Sequence, residues 1–169
     1  MRNSIKCEHN REWPLGFPTC FGFDDPSHYF DIAPKDRPKR VTLGSDQCIV
    51  DDKSFFVLGC LDIPLLDTTE VFRWMIWVSL SEKTFKRMSE LWHTSGRESE
   101  SPYFGWLSTS LPCYPETLNL KTHVHTQPVG TRPSIELEPT DHPLAIDQRS
   151  GISLARAHEL SQQISRQMI

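Results

Sequence analysis

The sequence predicts an α+β fold: an antiparallel β-sheet of about four to five strands, with helices packed mainly on one face. Three observations carry that expectation. Period-two apolar runs recur between residues 46 and 140, apolar spacings of three and four appear twice behind serines, and Pro, Gly and Asp clusters separate the runs. The chain of 169 residues suits one domain, with a Pro- and aromatic-rich segment (1–45), a sheet region with one inserted helix (46–140) and C-terminal helices (141–169).

In the first segment, "WPLGFPTCFGFDDPSHYF" holds one helical signal. Pro26 behind Asp24 and Asp25 fits a short helix to about Asp31. Asp51-Asp52-Lys53 is turn-like between β-branched and aromatic runs, which predicts a hairpin. In "VFRWMIWVSL" (Val71 to Leu80), Phe72, Trp74, Ile76, Val78 and Leu80 share one phase. Arg73 and Ser79 share the other with Met75 and Trp77, so the strand is central or covered twice.

Ser81 then caps a helix whose stripe is Phe85, Met88 and Trp92, and Gly96 ends it. "YFGWLSTSLPCYPET" (Tyr103 to Thr117) reads as an aromatic loop pinned by two prolines. "LNLKTHVH" turns Leu118, Leu120 and Val124 inward and Asn119, Lys121, His123 and His125 outward. "PSIELEP" turns Ile135 and Leu137 in and Glu136 and Glu138 out, and the Gln127–Gly130 link makes the two an antiparallel pair. Asp141 would cap a helix with Pro143 in its first turn and Gly151 at its end. Ser153 would cap the last helix, carrying Leu154, Ala157, Leu160 and Ile164.

A net charge of −4 argues against nucleic acid as a partner, because phosphate binding needs a basic patch. The cationic cluster "KDRPKR" (Lys35 to Arg40) is offset by Asp31 and Asp36 and reads as a solvated loop. The five cysteines (Cys7, Cys20, Cys48, Cys60, Cys113) are odd in number and irregularly spaced. With "MRNSIKCEHN" lacking the pattern of a signal peptide, they point to reduced thiols in a cytoplasm. The apolar runs are too short to span a membrane, so no membrane partner is expected.

On the strand pair, His123, His125, Glu136 and Glu138 project from one exposed face. Two imidazoles and a carboxylate (His123, His125, Glu136) suit zinc or iron, yet alternating polar residues are what a half-solvated strand shows, and no metal or other cofactor is expected. Cys7 with His9, joined by Cys20, makes only half of a zinc site. "TDHPLAIDQRSG" packs Asp141, His142, Asp147, Gln148 and Arg149 together, read as a capped helix tied to the sheet in preference to a binding loop. Ser108, His142 and Asp147 assemble a nucleophilic triad on paper, but no Gly-x-Ser-x-Gly elbow supports it. Cys113 lacks an electropositive helix start and reads as a buried small hydrophobe, and no Gly-rich phosphate loop exists.

The order of segments is more specific than any one of them. "LGSDQCIVDDKSFFVLGCLDIPL", "FRWMIWVSLSEKTFKRMSELW", "YFGWLSTSLPCYPETLNLKTHVH" and "RPSIELEPTDHPLAIDQRSGIS" together resemble the bacterial domain-of-unknown-function 2199 family, from about Cys7 to the C-terminal helix. The resemblance implies a single-domain bacterial cytoplasmic protein and no assigned reaction. Relatives often open with Cys-x-x-Cys-Gly, where this chain has Asn10 and Arg11 at the second cysteine and the glycine.

Two functions are weighed. The first is a small acidic protein that docks another protein, for example an immunity protein neutralising a bacterial toxin. It would use Tyr103, Trp106, Tyr114, Glu136 and Glu138, although Trp106 also suits packing beneath a loop. The second is a small metal-dependent hydrolase using His123, His125 and Glu136.

Overall fold

The structure, a computed structural model, describes residues 5–7 and 13–168. Its strands are β1 (Ile5–Cys7), β2 (Cys20–Phe23), β3 (Val41–Leu43), β4 (Gln47–Val50), β5 (Ser54–Pro64), β6 (Val71–Leu80), β7 (Tyr103–Leu107), β8 (Lys121–His125) and β9 (Ser134–Leu137). The helices are α1 (Arg37–Arg40), α2 (Glu82–Glu90), α3 (Pro143–Ser150) and α4 (Leu154–Gln167).

The mixed α+β class holds, but the sheet differs from the expected four to five antiparallel strands. It has nine described strands in the order β1-β2-β6-β7-β8-β9-β5-β4-β3, and β6 also pairs with β5. That last pairing closes β5, β6, β7, β8 and β9 into a barrel of five strands. Four of its junctions are antiparallel. An odd number of alternating strands leaves two neighbours running the same way, and the β5–β9 junction is parallel, at Cys60 and Ser134. The Cys60 amide donates to the Pro133 carbonyl at 2.9 Å there.

The wall of the barrel is anchored by the β5–β6 ladder, in register from Phe55 opposite Leu80 to Pro64 opposite Val71. Its inward residues include Trp74, Ile76 and Val78, all fully buried. Gly59 allows the closure, since a Cβ at that position would lie 2.6 Å from Ile135 Cδ1 and 3.0 Å from the Pro133 oxygen. Two strands flank the ring on each side. β2 runs parallel to β6, and Phe21 and Phe23 lie 6.0 and 6.3 Å from Trp74. Phe21, Phe23, the barrel strands and Ile164 belong to one buried cluster, so the Pro-rich first segment contributes core and strand, not only connection.

The local signals behave as their chemistry dictates. Asp51 and Asp52 both take φ of 53°, turning β4 into β5, and Arg40 grips Asp51 with two bonds of 2.7 Å. Pro26 precedes a 3-10 turn, Ser27–Asp31. Ser81 caps α2 by accepting from the Thr84 amide, and Ser153 caps α4 by accepting from that of Arg156. α2 stops at Glu90, so Trp92 lies beyond it instead of on its stripe, and Gly96 turns at φ 83°. α3 is capped by His142, whose ring nitrogen accepts from the Leu144 amide, and not by Asp141. Residues 103–107, expected in a loop, form β7.

Candidate functional site

Strand pairing decides which side chains share a surface. Phe104 stands opposite His123, and Trp106 opposite Lys121. His123 stands opposite Glu136, and His125 opposite Ser134. Partners in an antiparallel pair point the same way, so Phe104, Trp106, Lys121, His123, His125, Glu136 and Glu138 share the outer face of β7, β8 and β9. The inner face of the same strands carries Gly105, Thr122, Val124, Ile135 and Leu137, all buried.

On the outer face Phe104 and Trp106 are 43% and 41% exposed and pack edge to face, with centroids 5.0 Å apart at 87°. Beside them the histidines and carboxylates pair diagonally. His123 Nε2 lies 3.4 Å from Glu138, and His125 Nε2 lies 3.4 Å from Glu136. The second contact is proximity without hydrogen-bond alignment, since His125 Nε2 is buried with no hydrogen-bond partner. Each imidazole faces its own carboxylate, and no group of three His, Cys, Asp or Glu converges on a metal-sized space among the described residues.

The two tyrosines named with Trp106 do not join this face. Tyr103 points inward beside Val124 and donates its hydroxyl to Glu100, which also takes Arg87. Desolvation, then the bond to Glu100, pushes the Tyr103 phenol up to about 12. Tyr114 donates to Asp147 at 2.8 Å, and burial followed by that bond raises its pKa well above the ordinary value. Both hydroxyls are therefore internal ties.

The other candidate groups are occupied elsewhere. Ser108 donates to the Trp106 carbonyl, His142 Nε2 lies 3.0 Å from the Glu116 carbonyl, and Asp147 accepts from Tyr114 and Arg156. No proton relay links the three. Gln148 accepts from the Leu137 amide and donates to the Ile135 carbonyl, both at 2.8 Å, fastening α3 to β9. Arg149 donates to the Thr140 carbonyl. Cys113, expected to be buried, is exposed at φ 69° because it sits at a turn. Desolvation nevertheless raises its thiol pKa, the reverse of activation. Of the Cys7, His9 and Cys20 group, Cys20 is buried in β2, while His9 and the side chain of Cys7 lie outside the described residues. Phe104 was missed, because Tyr103-Phe104-Gly105-Trp106-Leu107 shows no clean alternation of polar and apolar residues.

The architecture and this surface define a class: an α+β domain on a small closed barrel, with an aromatic–histidine–carboxylate patch on its outside. A family model described as "uncharacterized protein conserved in bacteria", domain of unknown function 2199, matches residues 5–152, and the chain belongs to that family. No curated protein and no solved structure matches the chain. Among the described residues no helix is long and apolar enough to cross a membrane.

Proposed function

We propose that this protein acts by docking another protein onto the outer face of β7, β8 and β9. The observation that carries the reading is the Phe104–Trp106 pair, two large exposed aromatics side by side on rigid strand backbone. Aromatics so placed supply much area at little entropic cost and dominate interface energetics. Glu136 and Glu138 lie on the same face across β8 from the aromatics, beyond Lys121 and His123, on a chain of net charge −4, so the partner surface we propose is basic. A basic bacterial toxin domain blocked by this face is one such partner.

The test is capture of a partner from the source bacterium, followed by binding kinetics. Trp106→Ala should weaken the complex at least about tenfold, mainly by faster dissociation. Glu136→Lys/Glu138→Lys should slow association and flatten its salt dependence, with the fold unchanged. A captured protein whose binding ignores both variants would sink the proposal. Turnover of a small substrate by metal-loaded protein, lost in a folded His123→Ala/His125→Ala variant, would put the hydrolase in its place.

A further inference from the structure

Strand register places Phe56, Ser79 and Trp106 in one row across β5, β6 and β7. Cross-strand partners point the same way, so all three face outward, with the small serine between two aromatics. Neighbouring strands lie about 4.8 Å apart, which sets the two outer members of the row about 9.5 Å apart. Stacked rings pack with centroids about 4.5–7 Å apart, so a gap of that width takes one flat ring in contact with both walls. An open cleft of about 400 Å³ lies here, and all three residues line it. Phe56 itself is covered. His28, exposed and with its ring 5.2 Å from that of Phe56, lines the cleft as the outer part of that wall. The adjacent Ser27 fixes this wall against the segment after β7: its amide donates to the Ser108 carbonyl, and its hydroxyl accepts from the Ser110 amide.

The polar side chains of the cleft are uncommitted. Lys53, Ser54 and Asn119 line it with Ser79, and none of the four makes a side-chain hydrogen bond to a described residue. Ser54 and Ser79 are half-buried, yet neither hydroxyl is sealed from solvent. Lys53 enters none of the ion pairs among the described residues. Asp51, near enough to feel its charge, is gripped by two nitrogens of Arg40. No Asp or Glu lines the cleft. It therefore offers aromatic walls, neutral donors and one unpaired cation.

We infer that this cleft binds a planar aromatic carboxylate, its ring over Ser79 between the His28–Phe56 wall and Trp106, and its carboxylate at Lys53. Lys53 precedes Phe56 by three residues, about 10 Å along the strand. A lysine side chain and a carboxylate carried on the ring bridge that span from its two ends. The volume is more than twice the roughly 150 Å³ that takes up benzene, which makes room for two fused rings. One ammonium matches one negative charge, so a dianion such as a phosphate monoester is matched only by half. The site shares Trp106 with the docking face but uses none of Phe104, Glu136 and Glu138, and it does not rest on the docking reading.

The probe is 2-naphthoate, with 2-naphthamide as its neutral planar analogue and cyclohexanecarboxylate as an anion without a flat ring. Calorimetric titration of the full chain should give saturable 2-naphthoate binding, with each analogue at least about tenfold weaker. Lys53 is exposed and unbonded, so Lys53→Met should melt as wild type does. It should lose about tenfold in 2-naphthoate affinity and leave that for 2-naphthamide unchanged. Ser79→Leu fills the gap between the walls and should abolish binding of both. A leucine on β6 can also disturb its neighbours, so Lys53→Met is the deciding variant. No saturable 2-naphthoate binding, equal affinity for either analogue, or unchanged affinity in Lys53→Met would each overturn the inference. So would full affinity in a folded Ser79→Leu protein.

Discussion

Glu100 shows how a single half-buried side chain couples folding to pH. The Arg87 guanidinium at 2.6 Å, and then the Tyr103 hydroxyl, hold its pKa down to about 2. A carboxylate with a folded pKa below its unfolded value of about 4.3 stabilises fully above that pH and loses the effect as pH falls through its folded value. The melting-temperature gap between wild type and Glu100→Gln should therefore be widest above about pH 5 and narrow towards pH 2. A gap that stays constant over that range in scanning calorimetry would show that the Arg87–Glu100–Tyr103 cluster stabilises nothing through charge. Gly105 carries a different constraint. A Cβ there would lie 2.8 Å from the Ser79 backbone oxygen, which cannot rotate away. Gly105→Ala should cost about 1–3 kcal/mol in a urea melt, by overpacking β7 against β6. No alternation rule marks such a residue, because the demand on Gly105 comes from a strand more than twenty residues away in sequence.

Elements whose apolar pattern is local were legible in the sequence. β6 runs from Val71 to Leu80 as the alternation predicts, and it is flanked by β5 along its length and by β2 and β7 on the other side. Ile76 is wholly enclosed there, so Ile76→Ala should lose about 2–5 kcal/mol, and a loss under about 1 kcal/mol in denaturant melts would mean the strand is not the folding centre. α4 was readable because its serine cap and its spacing of apolar residues agree. β7 was not, because nearby Pro112 and Pro115 suggest a loop and its inner face spends one position on Gly105. β2 was hidden for a related reason. Cys20-Phe21-Gly22-Phe23 is buried at every position, so it shows no amphipathic signal at all. The docking face was half legible. The outward set His123, His125, Glu136 and Glu138 follows from pleat alone, whereas the place of Phe104 and Trp106 beside it depends on recognising β7. The burial of Arg97, which donates to the carbonyls of Gln127, Pro128 and Thr131, was illegible, since it depends on where those carbonyls end up.

At the scale of the whole molecule, closure of the barrel depends on its shortest junction. The β5–β9 seam has one paired position, Cys60 with Ser134, whereas the β5–β6 ladder is continuous along both strands. Sequence alternation cannot announce a seam of this kind, because each strand reads the same in an open sheet and in a closed one. Two other contacts supplement it: Ile135 fills the space left by Gly59, and α3 packs on both β5 and β9 with Gln148 bonded to β9 backbone on either side. The seam should then be where the barrel first opens, and α3 should be the clasp that keeps it shut. In native-state hydrogen exchange, the Cys60 amide should exchange faster than the amides within the central β5–β6 ladder. Gln148→Ala removes the clasp's two backbone bonds, at a cost of about 1–3 kcal/mol. It should accelerate exchange at Cys60 while leaving the centre of β6 nearly as protected as in wild type. If Cys60 is as protected as β6 and Gln148→Ala slows or leaves its exchange unchanged, the barrel opens elsewhere and α3 is packing without clasping.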